Sequence, residues 1–312
     1  MQDRSRYITN EGGKSFFLHE WLPDDPDHLR GIVQIIHGMM EHGGRYLPMA
    51  EHLTERGFLV VAEDHSGHGR TAVSPKELGH LKGREGWQEI LSQMHQVMSF
   101  TKYQYPGLPY TMLGHSMGSM LARHFAILYG DRLDCLILSG PDSTTLPLIW
   151  AGMALSGASS LMYGIHYRNR LLNYLAYGVF NHHFKPNRTG FDWLTTDTDL
   201  VDTYIRDPLC GFPSTSGFYQ GMFHGLKIIN HDQALKRIPG QLPVLIVAGK
   251  NDAVGKFSEG PQQIARQLRK AGVKDITLRI YPEGRHEMHN EKNRREVLAE
   301  LTGWIEMKTG RS

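Results

Sequence analysis

The chain has 312 residues, enough to bury one sizeable core and carry an insertion on it. Its 34 lysines and arginines stand against 32 aspartates and glutamates, a formal charge of +2 that is too balanced to hold a polyanion by bulk electrostatics, so nucleic acid is excluded as an expected partner. Two cysteines, Cys135 and Cys210, cannot build a disulfide framework, and a reducing compartment is permitted.

The first residues, Met1 to Lys14, are polar and lack the apolar stretch of a secretory signal, from which a cytoplasmic location is expected. Strands are expected at Ser15 to Leu22, Gly31 to Ile36, Phe58 to Glu63, Tyr110 to Leu113, Cys135 to Leu138, Val244 to Ala248 and Ile276 to Tyr281. Several are continuously apolar, as strands buried on both faces must be. Between them, Trp87, Ile90, Leu91, Met94, Val97 and Met98 recur at helical spacing, as do Val297, Leu298, Leu301, Trp304 and Ile305. This alternation predicts an α/β fold, a mainly parallel central sheet with helices on both faces.

The alternation stops from about Ser143 to about Gly217, which reads as a cap of residues 143–217 inserted into a core formed by 1–142 and 218–312. Within it, Thr144 to Ile165 carries no charge and approaches the ~20 apolar residues a membrane-spanning helix needs. Its glycines and serines dilute it, so a buried or interfacial helix is expected. A transient contact of the cap with a membrane surface is compatible with that composition.

In TMLGHSMGSM, Gly114, Ser116 and Gly118 form G-x-S-x-G between an apolar strand and a helix running from about Met117 to Tyr129. That context places Ser116 on a sharp strand-to-helix turn. Met120, Leu121, His124, Phe125 and Leu128 are expected to form the buried face of the helix. A serine hydroxyl is a poor nucleophile at neutral pH and needs a base to take its proton, a service worth ~10²–10⁴ in rate.

The partners of such a serine follow it in the order acid, then histidine, on loops after strands. AGKNDAV offers Asp252, and YPEGRHEMHNE offers His286 or His289, of which His286 lies closer to its strand. Asp142, in LSGPDS, is the competing acid. Glu283 and Glu287 read as solvated loop charges. The two N–H donors for an oxyanion are expected from Met117, next to the nucleophile, and from Met39 in VQIIHGMMEHGGRY, ahead of a helix starting near Tyr46.

His37 and His42 in that early loop suggest metal ligands, but in a chain with 18 histidines a packed or hydrogen-bonded role is the expectation. His286-Glu287-Met288-His289 lacks the i, i+4 spacing of H-E-x-x-H, and no phosphate-binding glycine loop is present. No metal and no cofactor are therefore expected. Asn187-Arg188-Thr189 is a glycosylation sequon without consequence in a chain read as cytoplasmic.

With HGMMEHGGRY, DHSGHGR, GHSMG, GKNDAV and RHEMHNE in this order, nearly the whole chain resembles the monoacylglycerol lipase and lysophospholipase branch of the α/β hydrolases. The resemblance implies the α/β-hydrolase fold, an oxyanion donor at Met39, a structural role for Asp64 to Gly69, and a cap covering an acyl pocket. Met40 departs from the pattern, which usually has a second glycine there, and Thr71 stands where a serine is common.

The expected activity is hydrolysis of a lipophilic carboxylic ester, a monoacylglycerol first, through an acyl-serine intermediate. A lysophospholipase, a short-chain esterase and a cap-bearing peptidase share the same three residues, and a silent ligand receptor is the rival of another class. Leu146, Leu148, Ile149, Trp150, Met153, Leu155, Leu161, Met162, Leu175 and Phe180 are expected to divide between the acyl surface and the cap's own core. Arg168 and Arg170 read as a solvated face. Oligomeric state is not legible.

Overall fold

The computed structural model describes residues 1–9 and 12–310. Among the described residues, nine strands form one sheet: β1 (Gln2–Asp3), β2 (Arg6–Thr9), β3 (Ser15–Leu22), β4 (Gly31–Ile36), β5 (Phe58–Glu63), β6 (Tyr110–His115), β7 (Cys135–Ser139), β8 (Val244–Gly249) and β9 (Ile276–Tyr281). Their order is β1-β3-β5-β4-β6-β7-β8-β9, with β2 paired to β3. Strands β4 to β9 are parallel, and β3 runs antiparallel to β5. The two short N-terminal strands carry no apolar alternation, which is why the sequence pattern passes over them.

The helices are α1 (Leu47–Glu55), α2 (Gly83–Gln104), α3 (Met117–Tyr129), α4 (Leu146–Tyr163), α5 (Arg170–Asn173), α6 (Thr198–Arg206), α7 (Ser216–Ile229), α8 (Asp232–Leu235), α9 (Glu259–Ala271) and α10 (Arg294–Thr309). Successive strand residues point to opposite faces. Ile32, Ile36, Met112, Leu136 and Ile246 accordingly pack on one side with Trp87 of α2, Phe125 of α3, Leu226 of α7 and Ile264 of α9. Val33, Ile35, Leu113, Ile137 and Val247 pack on the other with Leu53 of α1 and Leu301 and Trp304 of α10. One expectation fails in detail: Leu128 is 38% exposed, and Ile127 is the buried residue, because every position of α3 from Met117 to Ile127 is covered by sheet or neighbouring helix.

The register aligns the carboxyl ends of the parallel strands. Ile36 lies beside Gly114, His115 beside Ser139, Ser139 beside Val247 and Gly249 beside Tyr281. The loops that follow these strands therefore emerge at one edge, carrying Gly38 to Glu41, Ser116, Gly140, Asp252 and His286. Helices α4 to α8 lie between β7 and β8.

The apolar surface of α4 divides differently from the sequence expectation. Ile149 is its one fully buried large apolar residue, while Leu146, Leu148, Trp150, Leu161 and Met162 are exposed. Over its 18 residues the helix is long and apolar enough to cross a membrane, with 22% of it buried inside the protein. Arg168 is not merely solvated: it donates to the backbone carbonyls of Lys76, Leu78 and Pro213 and ties this segment to the core.

Candidate active site

Ser116 sits at φ 53° and ψ −118°, a conformation unfavourable for any residue with a side chain. It is held there because a Cβ on Gly114 would come 2.2 Å from the Gly118 carbonyl, and a Cβ on Gly118 would come 1.9 Å from the Ile36 carbonyl. Only glycine permits these approaches, so the turn is sharp and the serine is presented at the mouth of α3. Its N–H donates to Ser139 O at 2.9 Å, anchoring the turn to β7.

His286 follows β9, and Asp252 follows β8. His286 Nδ1 lies 3.1 and 3.0 Å from the two carboxylate oxygens of Asp252, and both residues are buried. Asp252 is further fixed by accepting the Val254 N–H at 2.9 Å. Burial disfavours the imidazolium of His286, but the Asp252 carboxylate and its hydrogen bond, helped by Glu287 and Glu41, outweigh that and hold its pKa above the ordinary histidine value. The carboxylate hydrogen-bonded to His286 is that of Asp252 rather than Asp142. The Asp142 carboxylate accepts from Thr144 Oγ1, and burial raises its pKa.

His289 is placed elsewhere. Its ring stacks on Tyr46 at 4.8 Å and lies 4.9 Å from that of His115; burial, with His115 beside it, pushes its pKa down to about 3.

The early loop closes the site from the other side. A Cβ on Gly38 would lie 3.3 Å from Ser116 Cβ, so the segment Gly38–Met40 runs directly past the serine. Met40 has φ 60°, the left-handed region, and is fully buried against Leu78 and Phe212. Its carbonyl accepts from Tyr204 Oη at 2.9 Å and from Gly211 N at 3.0 Å. The methionine thus adopts the conformation for which a glycine is usual, and its side chain packs beneath the segment after α6.

Glu287 corrects the sequence reading. It is 2% exposed rather than solvated, and Arg45 donates two hydrogen bonds of 2.7 Å to its carboxylate. Arg45 also pairs with Glu41, whose Oε1 accepts from Gly38 N and from Tyr46 Oη. Despite burial, the charge of Arg45 holds the Glu287 carboxyl far below the usual carboxylate range. Glu283 is exposed as expected.

His37 and His42 have hydrogen-bonded roles. His37 Nδ1 donates to Gly38 O at 2.8 Å and its Nε2 accepts from His65 N at 3.0 Å, which sets its tautomer. His42 Nε2 lies 3.0 Å from Asp207 Oδ2. Asp64 accepts from Gly43 N and Arg70 N and contacts His19 Nε2, so the loop from Asp64 to Gly69 braces the early loop.

Two participants escape a sequence reading. A Cβ on Gly140, at φ 55°, would come 3.1 Å from His286 Nδ1 and Cε1, so that glycine makes room for the ring. Trp193 lies 5.2 Å from the His286 ring, and its neighbour Leu194 accepts the Glu287 N–H at 2.8 Å. The glycine in LSGPDS was a legible signal, whereas nothing around Trp193 announced its position.

Ser116, Met117, Met39, Met40, His286 and Glu287 all line one cavity of about 400 Å³. Leu148, Leu155, Leu172, Leu175, Phe180 and Met222 supply its apolar wall. A buried imidazole aligned by a carboxylate, a strained serine and a greasy cavity together suit acyl transfer.

Known proteins match the chain over nearly its whole length. Over 295 residues the chain is 27% identical to a monoacylglycerol lipase of Mycolicibacterium smegmatis, covering 94% of each chain. It is 26% identical to the monoglyceride lipase of Homo sapiens, covering 97% of this chain and 90% of that one. The crystal structure of a thermostable carboxyl esterase from Bacillus coagulans in complex with glycerol superposes with a TM-score of 0.87 at 30% identity, covering 99% of both chains. Residues 27–293 match the family described as serine aminopeptidase, S33, and the chain belongs to that family of α/β hydrolases.

Proposed function

We propose that the protein hydrolyses carboxylic esters of lipophilic substrates, monoacylglycerols first, with Ser116 as nucleophile, His286 as general base and Asp252 as the acid that orients it. The observation that carries this reading is the buried Asp252–His286 pair, which opens on the same apolar cavity as the strained serine. With Nδ1–H directed to Asp252, Nε2 is left to accept the serine proton. Ser116 Oγ then bonds to the ester carbonyl carbon while its proton passes to His286. The N–H groups of Met39 and Met117 meet the oxyanion, a contribution of ~2.7–4 kcal/mol for each donor. Collapse expels the alcohol with the proton from His286, and water, deprotonated by the same ring, releases the acyl group.

Residues 143–217 act as the cap in this reading. Each buried methylene of an acyl chain contributes ~0.8 kcal/mol gross, so the apolar wall supplies most of the binding free energy. The relatives named monoacylglycerol or monoglyceride lipase support the glycerol monoester over other leaving groups. The outward apolar residues of α4, Leu146, Trp150, Leu161 and Met162, suit a transient contact with a lipid surface from which substrate is drawn.

A chain-length series of monoacylglycerols, run beside matching lysophospholipids, p-nitrophenyl esters and a peptide amide, tests the reading. Monoacylglycerols are expected to give the highest kcat/KM, with a fluorophosphonate adduct confined to Ser116. Turnover of the amide alone, or labelling unaffected by Ser116→Ala, would overturn it.

A further inference from the structure

His42, Asp207 and Cys210 bring an imidazole, a carboxylate and a thiol together where the segment after α6 meets the loop after β4. Their ligating atoms all lie within 4.8 Å of one another, and His42 Nε2 is 3.0 Å from Asp207 Oδ2. We infer that these three residues form a binding site for a zinc-class divalent cation that clamps the cap to the loop carrying Met39.

The scaffold is set without the ion. Cys210 N donates to Asp207 O at 3.1 Å and Leu209 N donates to Asp207 Oδ1 at 2.8 Å, so the turn holds carboxylate and thiol on one side. Gly211 N and Tyr204 Oη, both donating to Met40 O, fix that turn against the early loop. Bond lengths of 2.0–2.3 Å to zinc place tetrahedral ligands about 3.4–3.7 Å apart, so the present spacing needs a closure of about 1 Å. The side chains of His42 and Asp207 are 14% and 28% exposed, which leaves an ion a way in and water the fourth position.

Nitrogen with thiolate selects zinc or cobalt over magnesium and calcium, which take oxygen ligands. On binding, the thiol releases one proton to solvent; the Nε2 proton that His42 now donates to Asp207 Oδ2 is lost and one is taken up at Nδ1, so the ring stays neutral and Nε2 is freed for the metal. Cation, carboxylate and thiolate then sum to zero. Burial pushes the Cys210 thiol up, with Arg45 beside it opposing, so the thiol holds its proton until a cation displaces it; Arg45 itself is paired with Glu41 and Glu287.

Binding does not depend on the ester-hydrolase reading; its effect on turnover does. Cobalt(II) titrated into the metal-free full chain is expected to give a thiolate-to-cobalt absorption band at one equivalent, displaced by zinc. Cys210→Ser and His42→Asn should abolish the band, and Asp207→Asn should weaken binding at least tenfold. Zinc should lower ester turnover several-fold, reversibly with a chelator, in the parent and not in Cys210→Ser. Absence of the band, or its survival in Cys210→Ser, overturns the site, and a band with turnover unchanged by zinc overturns the clamp. Should both variants fail to fold, protection of Cys210 in the parent from a thiol reagent by zinc supports the site, and no protection overturns it. Metal-free protein inert toward every ester would instead count against the proposed function.

Discussion

Arg45 grips Glu287 through two parallel hydrogen bonds of 2.7 Å, and so joins the loop after β4, which carries Met39, to the loop after β9, which carries His286. Glu287 is the residue after His286, and Arg45 also reaches Glu41, whose carboxylate accepts from Gly38 N. One buried guanidinium thereby sets the spacing between the proposed base and the proposed oxyanion donor.

Breaking that pair strands a buried charge, at a cost of ~3–5 kcal/mol. Glu287→Gln is therefore expected to lower the denaturant midpoint strongly and to reduce kcat along with it. Because Glu287 has its carboxyl pKa depressed in the folded state, its contribution is present above the unfolded carboxylate pKa of ~4.3 and is lost as pH falls toward the folded value. Urea unfolding of parent and variant at neutral pH and under acid conditions checks this: the gap between them should narrow in acid.

Asp252→Asn leaves the shape of the site but removes the charge that orients His286. A fall in kcat of about 10⁴ is expected on a p-nitrophenyl ester. Asp142→Asn should cost far less, since that carboxylate is engaged by Thr144 and not by the histidine. A larger loss from the Asp142 change would reverse the assignment.

The pH profile follows from His286. A general base acts when neutral, and Asp252 raises the pKa of this imidazole, so activity should rise with pH through a midpoint above the unperturbed ~6.5. In Asp252→Asn the residual activity should rise at lower pH, because burial then acts without its main opponent. An unchanged midpoint in kcat/KM profiles would remove His286 from the proposed role.

Gly140→Ala tests the space beside the ring. The added Cβ would lie 3.0 Å from His286 O and 3.1 Å from Nδ1, at a positive φ that disfavours any side chain. Turnover is expected to fall by at least tenfold while KM changes little, as measured on a soluble ester. An active Gly140→Ala enzyme would show that the ring does not need this fit.

At Met40 two effects compete. Glycine would relieve a left-handed strain of ~1–2 kcal/mol, yet truncating a buried methionine costs ~2–5 kcal/mol. The cavity term wins, so Met40→Gly should lower Tm even though glycine is the residue the conformation favours. A variant more stable than the parent would mean that the pocket formed by Leu78 and Phe212 collapses without cost.

Local chemistry determined much of this protein. Runs such as Phe58 to Glu63 read as buried strands because a parallel strand covered on both faces has no polar side to show, and G-x-S-x-G located the elbow because only glycine tolerates its close approaches. The chain order of Ser116, Asp252 and His286 suits the proposed nucleophile, acid and base. Partnership across the chain was not legible. Whether Asp252 or Asp142 meets His286, whether Glu287 is solvated or locked to Arg45, and whether Met40 could hold a glycine-like φ are decided by loops 34 to 242 residues apart converging at one sheet edge. Nothing in the neighbours of Glu287 encodes an arginine that arrives from the loop after β4, 242 residues away along the chain, because a charge becomes buried or solvated only when the whole fold has closed around it.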